Sequence, residues 1–278
     1  MRRQLVNAVA LTATAIAAVL VVLPLVAIFG YLVYRGIGTI NWDLLTKIPQ
    51  PVGEAGGGLA NGIAGSGLIL LVASVIGIPF GIGSGVFLAE YGRTGYANIV
   101  RFTADVLNGV PSIVIGITVY ALVVVTQRHF SLLAGGIALG IMMVPTITRS
   151  TEEMLRMVPQ SVREAALGLG IPYWRTTFSV VLRSAAPGII TGIMLAFARV
   201  AGETAPLLFT AFGNQFWNFN LNQPTAALSL QIYNYSISAF DEWHRQAWAG
   251  ALVLIVLIVG TVAVVRLFVN RGLRKGHA

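Results

Sequence analysis

The sequence has no cysteine. That absence removes disulfides, thiolate zinc sites, iron–sulfur clusters and cysteine nucleophiles together. Histidine is scarce too, with only His129, His244 and His277, which argues against a conventional metal site. Lysine occurs twice, at Lys47 and Lys275, and neither closes a G-x-x-x-x-G-K phosphate loop. Any ATP-driven step therefore has to be powered by a different chain, and this chain is expected to bind no cofactor of its own and to make or break no covalent bond. Charge itself is in short supply: 10% of the 278 residues are charged, whereas a soluble domain carries about 25%. With 56% hydrophobic residues and a mean hydropathy of +0.80, the main solvent is the bilayer.

What charge there is amounts to a net +8. A basic balance can mark a nucleic-acid partner, but here the basic residues are scattered between long uncharged runs, so the charge reads as membrane topology and no nucleic acid is expected. The uncharged runs are 4–34, 55–89, 106–127, 129–148, 204–240 and 246–265. Since about 20 apolar residues cross the hydrocarbon core, spans are expected near 8–33, 62–88, 100–125, 130–148, 186–211 and 247–268. Arg2 and Arg3 before an apolar run resemble a secretory signal, yet the run is longer than a signal core and no small-x-small site follows. An uncleaved anchor is expected.

Six spans put both termini on one side. Thirteen basic residues share that side (Arg2, Arg3, Arg93, Arg101, Arg149, Arg156, Arg163, Arg175, Arg183, Arg266, Arg271, Arg274 and Lys275), against Arg35, Lys47, Arg128 and Arg245 opposite. The positive-inside rule makes the richer side, including 149–185, cytoplasmic. Residues 1–60 then form an anchor helix and external connector, and 61–278 a core. Small residues at four-residue spacing, Gly77, Gly81 and Gly85 and again Gly188 and Gly192, permit close helix packing. Pro24, Pro79, Pro111 and Pro145 fall inside spans, where each removes a backbone donor. A kink near Asn108, Pro111 and Ser112 suits a cavity wall and equally suits ordinary bent packing. The outer segment 213–246 is rich in aromatics (Phe216, Trp217, Phe219, Tyr233, Tyr235, Phe240, Trp243) and amides. It fits an interfacial belt or a docking surface for an external partner.

The stretch from Ser161 to Arg175 reads as a short helix over 161–167 with a Ser161–Glu164 capping box. Gly168 and Gly170 end it, and Pro172 opens the next helix. An amphipathic connector lying on anionic lipid would satisfy the same pattern. Glu164-Ala165-Ala166, three residues, then Gly170 resembles the signature loop of the membrane subunits of bacterial ATP-binding-cassette importers. The resemblance implies an all-α integral membrane fold of six transmembrane helices, with a cytoplasmic coupling helix between helices four and five that docks on an ATPase subunit. Glu164, Ala165, Ala166, Gly168 and Gly170 would form that contact. The family pattern continues with an aliphatic residue, one more residue, then Leu-Pro; here Val180, Val181 and Leu182 are followed by Arg183, and the proline comes at Pro187. Three further stretches narrow the resemblance to the "A"-type permease of phosphate importers: Asn108-Gly-Val-Pro-Ser-Ile-Val-Ile-Gly116, Pro145-Thr-Ile-Thr-Arg-Ser-Thr-Glu-Glu153 and Ala198-Arg-Val-Ala-Gly-Glu-Thr-Ala-Pro-Leu207. It implies a second permease subunit, two ATPases that use ATP and Mg, an external phosphate-binding protein, and placement in the bacterial cytoplasmic membrane.

Independently of that resemblance, Arg199 falls within the expected fifth span, thirteen steps or roughly 20 Å from Ala186. A mid-bilayer arginine costs about 2.5 kcal/mol or more and marks a candidate anion contact, because a guanidinium presents paired donors that match phosphate oxygens. Glu203, four residues on, is expected on the same face, either as a fixed ion-pair partner, as a displaceable one, or as an acceptor for a protonated phosphate oxygen, which sulfate lacks. Arg149 reads as a positive-inside flank, to which the resemblance adds a transport role. Asp105 is expected to pair with Arg149 or Arg101, and Asp105, Asn108, Ser112 and Thr204 are candidate cavity-lining residues. The leading expectation is a phosphate permease working by alternating access. Alternatives are a permease for sulfate, molybdate or another solute, or a stand-alone secondary transporter, although no internal duplication is visible.

Overall fold

The computed structural model describes residues 2–51, 54, 56–92 and 94–275, with side chains up to 268. Of the basic residues counted for orientation, Arg93 and the side chains of Arg271, Arg274 and Lys275 lie outside the described set. The elements are helices: α1 (Arg2–Gly36), α2 (Trp42–Thr46), α3 (Ala60–Glu90), α4 (Gly95–Gly109), α5 (Ser112–Gln127), α6 (Leu132–Met157), α7 (Gln160–Gly168), α8 (Tyr173–Ala201), α9 (Ala205–Thr210), α10 (Leu228–Ser236) and α11 (Asp241–Lys275). Five are long and apolar enough to cross a membrane, and the bent pair α4 and α5 makes a sixth span.

The centre of the bundle is the α3–α6 seam, and glycine makes it. Gly77, Gly81 and Gly85 lie on one face of α3, where an added Cβ would fall 2.7, 2.6 and 2.5 Å from the Cβ atoms of Met143, Ile147 and Thr151. No side chain fits there, so the two backbones approach closely and gain dispersion contacts, the main attraction available between helices in lipid. Gly188 and Gly192 of α8 sit in the same way on Met154 and Ser150 of α6. The expectation of small-residue packing is met, and α6 becomes the hub of a core that includes Ile69, Ala73, Leu139, Met143, Ile147, Leu155, Val181, Ile189 and Val200.

Around this hub α1 stands apart. It is exposed along nearly its whole length and touches α11 at its end, where Gly36 abuts the Trp248 carbonyl and Tyr31 meets the Trp248 ring edge-on at 5.3 Å. Exposed threonines and serines in the spanning helices, Thr12, Thr14, Thr103, Thr118, Thr126, Ser184, Thr191 and Thr261, donate back to the carbonyl four residues earlier at 2.8–2.9 Å. Exposed hydroxyls in the spanning helices are thus satisfied within their own helix, as an apolar surrounding demands.

Three expected spans change. The third is broken: α4 and α5 meet at 105°. Pro111 causes the break, since the residue before a proline is driven out of the helical region, and Val110 is extended at φ −71°, ψ 131°. The fourth runs on to Met157, so Arg149 sits two turns inside α6 rather than at its end. The fifth starts at Tyr173 and ends at Ala201, not at 186 and 211. Arg175 and Arg183 interrupt its hydropathy without interrupting the helix, because both are exposed. It stops where Gly202 is a poor helix former and Pro206 has no amide to bond back to Gly202. The first turns of α8 contain a π-helical stretch over Thr176–Val181, a feature frequent at functional sites.

Candidate functional site

The α7 segment is built as a presented helix. It begins after Pro159 with no side-chain cap, so the Ser161–Glu164 capping box expected from the sequence does not form. Its C-terminus is a Schellman turn: Ile171 N–H donates to the Ala166 carbonyl at 3.2 Å and Gly170 N–H to Leu167 at 2.9 Å. Gly170 has φ +78°, a left-handed conformation that favours glycine. Ala166 is buried and anchors the helix, whereas Glu164, Ala165, Gly168 and Gly170 are exposed beside exposed Leu167, Leu169 and Trp174. The signature residues thus share an outward surface, with Ala166 as the inward exception.

Two carboxylates fasten this end of the bundle, and the sequence reading missed both. Glu90, at the last turn of α3, has a buried side chain that accepts from Arg163 of α7 at 2.5 Å and from the Tyr173 hydroxyl at the start of α8. Arg163 also donates to the Leu155 carbonyl of α6 at 3.2 Å. One ion pair therefore ties α7 to α3, α6 and α8. Glu152 of α6, 2% exposed, gathers three arginines: Arg101 at 2.8 Å, Arg156 at 2.8 Å and Arg149 at 3.0 Å. A buried carboxylate is tolerated when it is paired and hydrogen-bonded. The available signal was the Arg149, Glu152, Arg156 spacing, which puts all three on one helix face.

Arg149 pairs with Asp105 of α4 as well as with Glu152. Of the two partners expected for Asp105, the structure selects Arg149. One turn further along α4, Asn108 accepts from Thr146 of α6 at 3.4 Å, so Asp105 and Asn108 both lie on the α4–α6 seam. Ser112 begins α5 just past the break and is half-buried.

Arg199 lies elsewhere. It sits in the last turn of α8, 26 steps or about 39 Å along the helix from Tyr173, toward the end of the bundle opposite α7. A cation in the last turn is favoured by the helix dipole, so mid-span burial does not describe it. The Arg199–Glu203 pair is not formed, because α8 ends at Ala201 and Glu203 belongs to the turn before α9. That turn is fixed instead by the Ser229 hydroxyl, which donates to the Glu203 carbonyl at 2.9 Å. Among the described residues the exposed Arg199 guanidinium has no carboxylate within ion-pair distance. Thr204 precedes α9, and its carbonyl receives the Leu207 and Leu208 amides.

The outer segment divides by burial. Tyr235 of α10 is buried and stacks on Trp243 at 4.6 Å, and burial pushes its phenol up to about 12. Phe216, Trp217, Phe219, Tyr233 and Phe240 stay exposed.

An all-helical bundle of six spans, with a presented helix between spans four and five, defines a membrane transport permease. The chain belongs to the family of binding-protein-dependent transport system inner membrane components, whose model matches residues 77–274, and it is thus the permease subunit of an ATP-binding-cassette importer. It is 50% identical to a phosphate transport system permease protein PstA of Yersinia pestis over 82% of this chain and 77% of that protein. A protein of the same name from Xylella fastidiosa is 49% identical over 93% and 90%, and one from Mycobacterium leprae 36% identical over 93% and 87%. Among solved structures, inward-facing conformations of the MetNI methionine ABC transporter share the fold at TM-scores of 0.55 and 0.57. They are 17% and 18% identical and cover 89% and 77% of this chain and 97% and 93% of theirs. Family membership sets aside the stand-alone secondary transporter.

Proposed function

We propose that this chain is the membrane subunit of an importer that carries inorganic phosphate across the bacterial cytoplasmic membrane. It pairs with a second permease subunit, receives phosphate from an external binding protein, and is driven by two ATPases that use ATP and Mg. Both termini and the α7 end face the cytoplasm, as the thirteen-to-four distribution of basic residues requires. The observation that carries the reading is Arg199: an exposed guanidinium with no acidic partner among the described residues, in the last turn of α8 just before the break at Gly202. An open fork of N–H donors fits two phosphate oxygens, and relatives at up to 50% identity carry the name of phosphate permeases.

In this reading the exposed face of α7 around Glu164, Ala165, Gly168 and Gly170 rests on an ATPase. Closure of the ATPase pair pulls α7, and the Arg163–Glu90 and Tyr173–Glu90 contacts carry the pull into α3 and α8. The cavity opens outward, phosphate meets Arg199, with Glu203 and Thr204 in the adjoining turn, and the reset releases it inward past Asn108, Ser112 and Arg149. Alternating access of this kind needs two packings of the same helices. The test is phosphate uptake, with sulfate as competitor, in membranes holding equal amounts of assembled complex. Arg199→Ala is expected to lower uptake by at least tenfold and Arg199→Lys to recover only part, while sulfate fails to compete. Full uptake in the alanine variant would remove Arg199 from the pathway.

A further inference from the structure

We propose that Asp105 is a built-in competitor for the anion at Arg149: its carboxylate fills the guanidinium fork, and an anion binds there only by displacing it. This inference rests on the reading of an anionic cargo and adds a device that controls how tightly that cargo is held.

Each of the three nitrogens of Arg149 donates to a carboxylate. Nη1 donates to Glu152 Oε2 at 3.0 Å, Nε donates to Asp105 Oδ1 at 2.9 Å, and Nη2 donates to both Asp105 oxygens. A carboxylate and a phosphate present two oxygens to such a fork in the same way, so with Asp105 in place the Nε–Nη2 edge of Arg149 is taken. One of the two carboxylates has to leave, and they are unequal. The Glu152 side chain is 3% exposed and is shared with Arg101 and Arg156, whereas the Asp105 side chain is 54% exposed and, among the described residues, pairs with Arg149 alone. An exposed ion pair shifts an equilibrium by about fivefold or less, while stranding a buried charge among three arginines is far more costly. Asp105 yields, and Glu152 holds Arg149 in position as it does so.

The two partners also ride on different bodies. Asp105 is on α4, four residues before that helix ends at Gly109 and the chain turns through 105°; Arg149 is on α6, clamped to α3 along the glycine seam. A shift of α4 along the seam separates the pair without bending either helix. Asp105 then returns as the anion leaves, and its competition keeps Arg149 from trapping the cargo on the inner half of its path. A merely structural clamp between α4 and α6 predicts the opposite, since breaking it would gain no affinity for anions.

The test is equilibrium binding of radiolabelled inorganic phosphate to the purified complex of this chain with its partner subunits, without the external binding protein. Maximal uptake in vesicles is measured in parallel. Asp105→Asn is expected to bind phosphate about two- to fivefold more tightly, the range of an exposed pair, and to lower maximal uptake. The gain should vanish when Arg149→Ala is added. Binding no tighter than wild type, or a gain that survives Arg149→Ala, overturns the proposal. So does a complex that assembles with neither Asp105→Asn nor Asp105→Ser, because Asp105 is then structural. A wild-type complex that binds sulfate and not phosphate would overturn the cargo reading alone, and the same cycle run with sulfate would still decide the role of Asp105.

Discussion

Replacing Glu152 with glutamine should destabilise the protein more than almost any other isosteric change. The side chain keeps its volume and loses its charge, leaving Arg101, Arg149 and Arg156 facing one another around a buried amide. Removing one partner of a buried ion cluster costs about 3–5 kcal/mol. The three arginine side chains are 24%, 28% and 52% exposed, so solvent takes up part of the stranded charge and the lower end, about 3 kcal/mol, is expected. At about 2–4 °C per kcal/mol for large chains, the midpoint of thermal unfolding falls by about 6–12 °C. The assay is the melting of the detergent-solubilised complex, followed by size-exclusion chromatography after heating. Glu153→Gln is the control: its neighbouring side chain is exposed, and surface changes stay within about 0.5 kcal/mol. A shift of under about 2 °C for Glu152→Gln, or an equal shift for Glu153→Gln, would refute the reasoning.

Two further outcomes follow from the packing and the joint beneath α7. Gly81→Ala puts a methyl 2.6 Å from the Ile147 Cβ and should cost about 1–3 kcal/mol with reduced yield of folded protein, whereas Gly83→Ala, with nothing within 4 Å, should be silent; equal yields would show that the seam relaxes. Glu90→Gln loosens Arg163 and Tyr173 and should lower the phosphate moved per ATP hydrolysed in reconstituted vesicles; an unchanged ratio would show that Glu90 does not carry the pull from α7.

The span count was legible because hydropathy is a local property: each uncharged run holds or adjoins its helix, and Pro111 marked the break. The short helix and turn around Glu164 to Gly170 were legible for the same reason, as these residues are contiguous and Gly170 needs its left-handed backbone. Arg199 was expected in mid-span, and the structure places it exposed in the last turn of α8. The start of α8 depends on burial of Thr176, Thr177 and Val181 against neighbouring elements, which overrides the hydropathy dip at Arg175 and Arg183.

By itself, then, the sequence determined that this chain lives in the bilayer, which segments are apolar enough to cross it, which end is basic, and where the short helix between spans four and five lies. Composition and short-range periodicity suffice for those, because lipid obliges each spanning segment to satisfy its own backbone. Only the tertiary structure decided which carboxylate answers which arginine. Asp105 and Arg149 are 44 residues apart, Arg101 and Glu152 are 51, and Glu90 and Arg163 are 73. Charges so distant in the chain meet only after α3, α4 and α7 have packed around α6. The end of α8 at Ala201 likewise left Arg199 without the ion pair that its spacing from Glu203 had made one option.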